Sequence, residues 1–203
     1  MPSKGLLVGI EGIDAAGKRT QSALLLAWLR ARGVVANAIS FPDYSTALGA
    51  EIRGFLLGRR DYSPEVRHML FAANRWEKKN QIENLLEQAQ VVIVNRYTES
   101  NLAYGVANGL NLEWLISLET GLPKTDMVLV LDASTTTFYD RRNKKKDRYE
   151  SDLALQERAR RAYLELSKRF GWKVINAAQG IQDTNRLIIE SVSTTLSAKE
   201  RTQ

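Results

Sequence analysis

The sequence predicts an α/β fold, a five-stranded parallel sheet flanked by helices in a three-layer sandwich. Three observations carry this expectation. Short apolar, β-branched segments alternate with longer helical patterns along the whole chain, the pattern of repeated βα units. Two strand segments, 91–95 and 127–132, are almost continuously apolar, as strands covered on both faces are. The first strand segment passes through a glycine-framed loop directly into a helix.

In chain order, the strands are expected at 6–10, 34–41, 91–95, 127–132 and 173–176. Helical patterns occupy 20–32, 46–57, 64–88, a stretch from about 98 to 120, 135–142, 152–170 and 181–197. Short turns such as Arg32-Gly33, Gly121-Leu122-Pro123 and Phe170-Gly171 join them. There is no internal repeat and no low-complexity tract, and the polar end from Lys199 to Gln203 is expected to fray. The 203 residues read as one domain, 1–203.

Composition removes several classes of function. A hydrophobic content of 44% supports a full core, yet no apolar run approaches the ~20 residues of a membrane span. The start, Met-Pro-Ser-Lys, leads straight into the first strand and carries no secretory pattern, so a cytoplasmic location is expected. With no cysteine there is no disulfide, thiolate metal site or cysteine nucleophile, and one histidine, His68, excludes a multi-histidine zinc site. The net charge of +6 suits polyanionic ligands. It is concentrated at 141–148, Arg-Arg-Asn-Lys-Lys-Lys-Asp-Arg, where six of the 29 cations lie. Such a run is ordinarily a solvated loop or a nucleic-acid patch, although no aromatic platform for bases is interleaved here.

The loop after the first strand is the strongest local signal. Residues 12–18 read Gly-Ile-Asp-Ala-Ala-Gly-Lys, the phosphate-loop pattern G-x-x-x-x-G-K. Gly12 and Gly17 allow a tight turn in which backbone N–H groups, including those of Ile13, Asp14, Ala15 and Ala16, converge on an anion. The helix that follows adds its positive end, and Lys18 adds a mobile cation. The Ser or Thr expected after the lysine to ligate Mg2+ is Arg19 here, with Thr20 one step later. The fold expectation is therefore a P-loop NTPase sandwich that takes a phosphate-bearing ligand. In such sheets, ligands sit at the carboxyl ends of strands. Further clusters border those ends: Phe41-Pro42-Asp43-Tyr44, Asn95-Arg96-Tyr97, the helical Phe71-Ala72-Ala73-Asn74-Arg75-Trp76-Glu77, and the basic run.

Taken together, these motifs, with Arg-Tyr-Thr-Glu-Ser-Asn-Leu-Ala-Tyr from Arg96, Gly-Leu-Pro-Lys-Thr-Asp from Gly121, and Asp-Arg-Tyr-Glu at 147–150 followed by Gln-Glu-Arg at 156–158, resemble thymidylate kinase from about residue 5 to residue 180. The resemblance implies transfer of the γ-phosphoryl group of ATP to dTMP, giving dTDP on the way to dTTP, with Mg2+ as cofactor and a homodimer as the assembly. It gives no role to nucleic acid or membrane.

It also implies residue roles. Phe71 stacks on the thymine ring, although its place on an amphipathic helix suits core packing equally well. Arg75, four residues on and so on the same face, donates to a thymine carbonyl. Arg96 grips the dTMP phosphate, as a guanidinium can in bidentate fashion. Tyr104 crowds the sugar 2′ position, Ser100 and Asn101 line the same pocket, and Phe41 and Tyr44 flank the acceptor phosphate. Asp14 serves both the sugar 3′-hydroxyl and the metal environment. The basic run becomes a flexible lid at about 141–151. Because Ala15 stands where some relatives have an arginine, the lid must supply the catalytic cation, from Arg141, Arg142 or Arg148, with Arg142 and Arg148 preferred. Asp147 and Glu150 either reach the acceptor site or cap the following helix.

Two positions depart from the family pattern: Asn95 replaces the usual Asp before Arg-Tyr, and Arg19 replaces Ser or Thr. Both make direct metal binding weaker, so Mg2+ is expected mainly on ATP oxygens and water, with Asp14 as the nearest carboxylate. They are also the sole support for a different reading, an ATP-binding regulator with little catalysis. Within the enzyme class the alternative is a related kinase acting on dUMP or a broader set.

Overall fold

The computed structural model describes residues 5–134 and 147–200. Five strands, β1 (Leu6–Glu11), β2 (Ala36–Ser40), β3 (Val91–Asn95), β4 (Met127–Asp132) and β5 (Lys173–Asn176), form one parallel sheet in the order β2-β3-β1-β4-β5. Nine helices accompany them among the described residues: α1 (Lys18–Arg30), α2 (Ala47–Leu56), α3 (Pro64–Trp76), α4 (Lys79–Gln88), α5 (Thr98–Ala107), α6 (Leu112–Glu119), α7 (Arg148–Ser151), α8 (Leu153–Phe170) and α9 (Ile181–Glu200).

Side chains alternate across a strand, so a sheet covered on both faces needs apolar residues at every position. β1 and β3 meet that demand. Leu6, Val8 and Ile10 join one apolar cluster with Val91 and Ile93, whereas Leu7 joins Val92 and Val94 in a second. The first cluster takes in Leu25 and Leu29 of α1, Ala159 and Tyr163 of α8, and Ile188 and Val192 of α9. The second is closed by Ile82 and Leu86 of α4. Each fully buried aliphatic side chain contributes about 1.5–3 kcal/mol, which fixes the strand register firmly.

That register positions the site. Ile10 pairs with Asn95, and Asn95 with Ser40. The chain therefore leaves β1, β3 and β2 at the same level of the same sheet edge, which sets the loop at Gly12, Arg96 and Phe41 side by side. The Phe41–Pro42 peptide bond is cis.

The expected strands are found, β2 being shorter than 34–41. Two long helical patterns are each divided. The 64–88 pattern breaks after Trp76 into α3 and α4. There Asn74 Nδ2 donates to Glu77 Oε2 (3.2 Å) and Lys78 Nζ pairs with Asp43 (2.8 Å), so tertiary bonds override a continuous apolar period. The 98–120 pattern breaks at Asn108-Gly109, and Asn111 caps α6 by accepting from Trp114 N (3.0 Å). The 135–142 pattern lies outside the described residues. Among the described residues, no helix is long and apolar enough to cross a membrane.

Candidate active site

A cleft of about 780 Å3 opens at the carboxyl edge of the sheet. Its donor end is the loop between β1 and α1. Gly12 has φ of 130°, and a Cβ there would lie 2.5 Å from Leu131 O, so the close approach of β4 demands glycine. Gly17, at φ 90°, caps α1 in the left-handed region, and Ala15 shares that sign at 62°. Ile13 and Ala16 put their side chains into the core, while Asp14, Ala15, Gly17, Lys18, Arg19 and Thr20 line the cleft. Lys18 Nζ donates to Gly12 O (2.9 Å) and Ile13 O (2.7 Å), which holds the ammonium inside the cradle.

Next to it, Asp14 is the hub of the acceptor side. It is ion-paired with Arg96, whose guanidinium lies 5.5 Å from the Tyr104 ring centre. Gln156 of α8 reads both ends of Asp14: it accepts from Asp14 N (2.9 Å) and donates to Asp14 Oδ2 (2.8 Å). Tyr104 donates to Gln156 Oε1 (3.1 Å) and Asp14 Oδ2 (3.3 Å). Burial, with the Asp14 charge beside it, raises the Tyr104 phenol well above its ordinary value, so it stays a donor at working pH. Arg96 adopts φ 61°, a costly conformation for arginine that the neighbouring bonds maintain.

The far end of the cleft is aromatic and amidic. Phe71 borders it, with its ring 5.9 Å from His68 and 6.3 Å from Tyr149, so it lines the cleft and packs on the core at once. Tyr149 stacks on Tyr104 at 5.7 Å with the planes 9° apart. Arg75 is buried and doubly bonded to Glu119, through Nε (2.9 Å) and Nη2. Asn101 bonds to His68 and Glu119. Ser100 lines the cleft, but its hydroxyl donates to Glu11 Oε2 (2.5 Å).

The loop after β2 is clamped by Asn74, which accepts from Asp43 N (2.8 Å) and donates to Asp43 O (3.2 Å) and Thr46 Oγ1 (3.0 Å). Hydrogen bonds from Lys78 and then Ser45 hold the Asp43 carboxyl down at about 2. Phe41 is buried against Tyr97 (5.8 Å), and Tyr44 stands exposed at the cleft wall.

At the lid end, Asp147 and Glu150 form a reciprocal cap on α7 and also line the cleft. Burial, with the nearby Asp14 charge, raises Asp147 to about 6. Arg148 does not line the cleft: it pairs with Asp61 (2.7 Å) and lies over Phe55 (4.9 Å). Such an exposed pair is screened by solvent, so the arginine is only weakly held there. Arg142, the other expected catalytic arginine, lies outside the described residues, as does Arg141.

Several contributors were given no role from the sequence. Glu11, at the end of β1, accepts from Tyr97 N (2.7 Å), Ser100 Oγ and Tyr163 Oη (2.8 Å), and so ties β1 to α5 and α8. A carboxylate ending a buried strand was its only sequence signal. Gln156 stands in the Gln-Glu-Arg segment after the lid and shows no signal beyond that. Glu119 and His68 look like ordinary helical polar residues until burial reveals them.

Among the described residues, no group of three His, Cys, Asp or Glu side chains is placed to hold a metal. Mg2+ needs less: it ordinarily keeps waters and substrate phosphates and takes one or two carboxylates. Asp14, lining the cleft beside the anion cradle, fits that requirement.

An anion cradle with a lysine held inside it faces the Arg96–Asp14 pair, with an aromatic and amide slot beyond. This arrangement defines a P-loop phosphotransferase that moves a phosphoryl group between two phosphate-bearing ligands. The thymidylate kinase family model matches residues 10–188. The chain is 36% identical to the human thymidylate kinase over 182 residues, spanning 88% of this chain and 85% of that one. It is 38% identical over 197 residues to a probable thymidylate kinase of Thermococcus gammatolerans, covering 91% and 94%. A solved thymidylate kinase from Candida albicans, described as having broad substrate specificity, superposes with a TM-score of 0.86 at 30% identity, over 96% of this chain and 94% of that one. The chain belongs to the thymidylate kinase family, the nucleoside monophosphate kinases that convert dTMP to dTDP with ATP.

Proposed function

We propose that this chain, as one domain, transfers the γ-phosphoryl group of ATP to the 5′-phosphate of dTMP, with the site residues acting as follows. The reading rests on one observation above the rest: the anion cradle, the Arg96–Asp14 pair and the Phe71–Arg75 slot share a single cleft. An oxygen of the dTMP phosphate attacks the γ-phosphorus, the bond to the β,γ-bridging oxygen breaks, and ADP leaves. Little covalent work falls to the protein, so positioning and charge neutralisation carry the rate.

Lys18 leaves the loop carbonyls to follow the transferring phosphoryl group. Arg96 orients the acceptor phosphate, and Phe41 and Tyr44 wall it from solvent. Tyr104 and Asp14 bound the sugar. Mg2+, when bound, neutralises charge on the phosphate oxygens, and Asp14 is the protein group that would hold it. A lid arginine, Arg142 or Arg148, completes the charge clamp. Product analysis with ATP and dTMP tests the reading: dTDP and ADP are expected in equal amounts, and ATP consumption without dTDP would reject it.

The homodimer expected from the sequence belongs to the same proposal. Val66, Met69 and Trp76 are exposed and lie along one stripe of α3, an apolar face that association would cover. Light scattering of the purified protein is expected to give twice the 22.9 kDa chain mass, and a monomer at micromolar concentration would overturn this part. An ATP-consuming step is in keeping with the cytoplasmic setting expected from the sequence.

A further inference from the structure

Arg75 and Asn101 both line the base end of the cleft, and both are bonded to Glu119. All three are buried, as is His68, the chain's single histidine. The direction of every hydrogen bond among them follows from one fact. A carboxylate doubly bonded to an arginine can only accept. The Asn101 atom 2.6 Å from Glu119 Oε1 is therefore the amide nitrogen, whose other hydrogen goes to His68 O (3.3 Å). The Asn101 atom 2.7 Å from His68 Nδ1 is then the carbonyl oxygen, so Nδ1 carries a hydrogen. Burial, opposed by the Asn101 bond, pushes the imidazole down to about 4, so it is neutral at pH 7 and Nε2 is bare. Nε2 meets Asn108 Nδ2 at 3.2 Å, and that amide nitrogen also donates to Tyr104 O (2.8 Å), so its assignment agrees. The chain runs one way, from Asn108 through His68 and Asn101 to Glu119, and Arg75 donates into the same carboxylate.

We propose that Glu119, a positioning residue, fixes the polarity of this chain so that the site selects the imide edge of thymine or uracil and rejects cytosine, with the His68 tautomer as its readout. Both Nδ2 hydrogens of Asn101 are spent inside the protein, so it offers the cleft a lone pair of Oδ1. Glu119 takes two of the five N–H donors of Arg75, and the rest remain for the cleft. The base thus meets an acceptor beside a donor. Thymine and uracil present N3–H beside the O4 carbonyl and satisfy both. Cytosine presents a bare N3 beside an amino group and satisfies neither. Turning the Asn101 amide over would set its oxygen against the Glu119 carboxylate and its nitrogen against His68 Nδ1–H, so the site resists adapting. The chain does not read the 5-methyl group.

The inference rests on the proposed acceptor, and two measurements separate its failure from the failure of that reading. The first needs no activity. In the tag-free protein, a long-range 1H–15N spectrum of the one imidazole is expected to show the neutral Nδ1–H form at pH 7, and an Nε2–H form or an imidazolium would overturn the chain. The second is the acceptor panel. Glu119→Gln, whose amide can donate or accept, is expected to raise kcat/KM for dCMP relative to dTMP by at least roughly tenfold, with the KM for ATP unchanged. Glu119→Asp, still acceptor-only, is expected to keep the wild-type ratio at lower activity. A Glu119→Gln protein that phosphorylates dTMP with the wild-type ratio would overturn the proposal. Should that variant not fold, His68→Gln, whose amide can follow either polarity, is expected to keep the wild-type ratio because Glu119 still orients Asn101, and a relaxed ratio would overturn Glu119 as the residue that sets it.

Discussion

The two ends of the cleft are built in different ways. The donor end is a run of nine consecutive residues, Gly12 to Thr20, in which backbone geometry and one lysine do the binding. The acceptor end is a web of side chains drawn from distant parts of the chain: Asp14 and Gln156 lie 142 residues apart, Arg96 and Asp14 82, Arg75 and Glu119 44. A backbone cradle can lose a functional side chain with little structural consequence. A buried side-chain web cannot, because each deletion leaves a charged or polar partner without its bond. Activity and stability should therefore separate at the donor end and move together at the acceptor end.

The largest effect expected is at the acceptor end. Arg75→Ala leaves Glu119 buried and uncompensated, a loss of about 3–5 kcal/mol. The double variant Arg75→Leu/Glu119→Leu should regain most of that stability in urea unfolding without regaining dTMP activity. If Arg75→Ala is as stable as wild type, the contrast between the two ends fails. At the donor end, Lys18→Ala should lower kcat by roughly 10²–10³-fold, as removal of a transition-state charge does. Its melting temperature should stay within a few degrees of wild type, and a large fall would show that the lysine is structural.

The contrast explains what the sequence disclosed. The parallel sheet was legible because buried strands must be apolar at every position, as Val91–Val94 are. The phosphate loop was legible because glycines and a lysine at fixed spacing are a local requirement. The helix breaks at Trp76 and Asn108 were missed for opposite reasons. The first is imposed by Asp43 and Lys78 across the fold, whereas the second was announced by Asn108-Gly109 and Asn111 but masked by the apolar period around it. Arg75, Arg96 and Tyr104 were singled out through resemblance, and the structure places all three in the cleft lining and supplies their partners. Glu119, His68, Glu11 and Gln156 carry no short-range signature, since their roles exist only once α3, α5, α6 and α8 have packed.

Smaller effects sharpen the picture. Burial, and then the charge of Glu11, raises Glu99 to about 7 from its ordinary 4.5. Its folded form therefore holds a proton that the unfolded chain has released between those values. Its contribution to stability is greatest below about pH 4.5 and declines as pH rises through 7. Glu99→Gln should flatten that decline and stabilise the protein at pH 8 by on the order of 1 kcal/mol, as read from denaturation midpoints between pH 5 and 8. Equal slopes for the two proteins would remove the assignment. Asn95, whose buried Oδ1 has no hydrogen-bond partner among the described residues, stands at the cleft where the sequence pattern leads to an expected Asp. Asn95→Asp should raise kcat by a few-fold, ~1 kcal/mol or less in the barrier, with the gain growing at low Mg2+. Equal kcat across a Mg2+ series would show that the missing charge is of no consequence.

The most direct test of the central claim is ATP-dependent ADP release with dTMP, dCMP and dGMP as acceptors. The expected result is release driven by dTMP, at a kcat/KM at least roughly 10²-fold above the other two, and lost in Lys18→Ala. Release that ignores the acceptor base, or none with dTMP, would contradict the account.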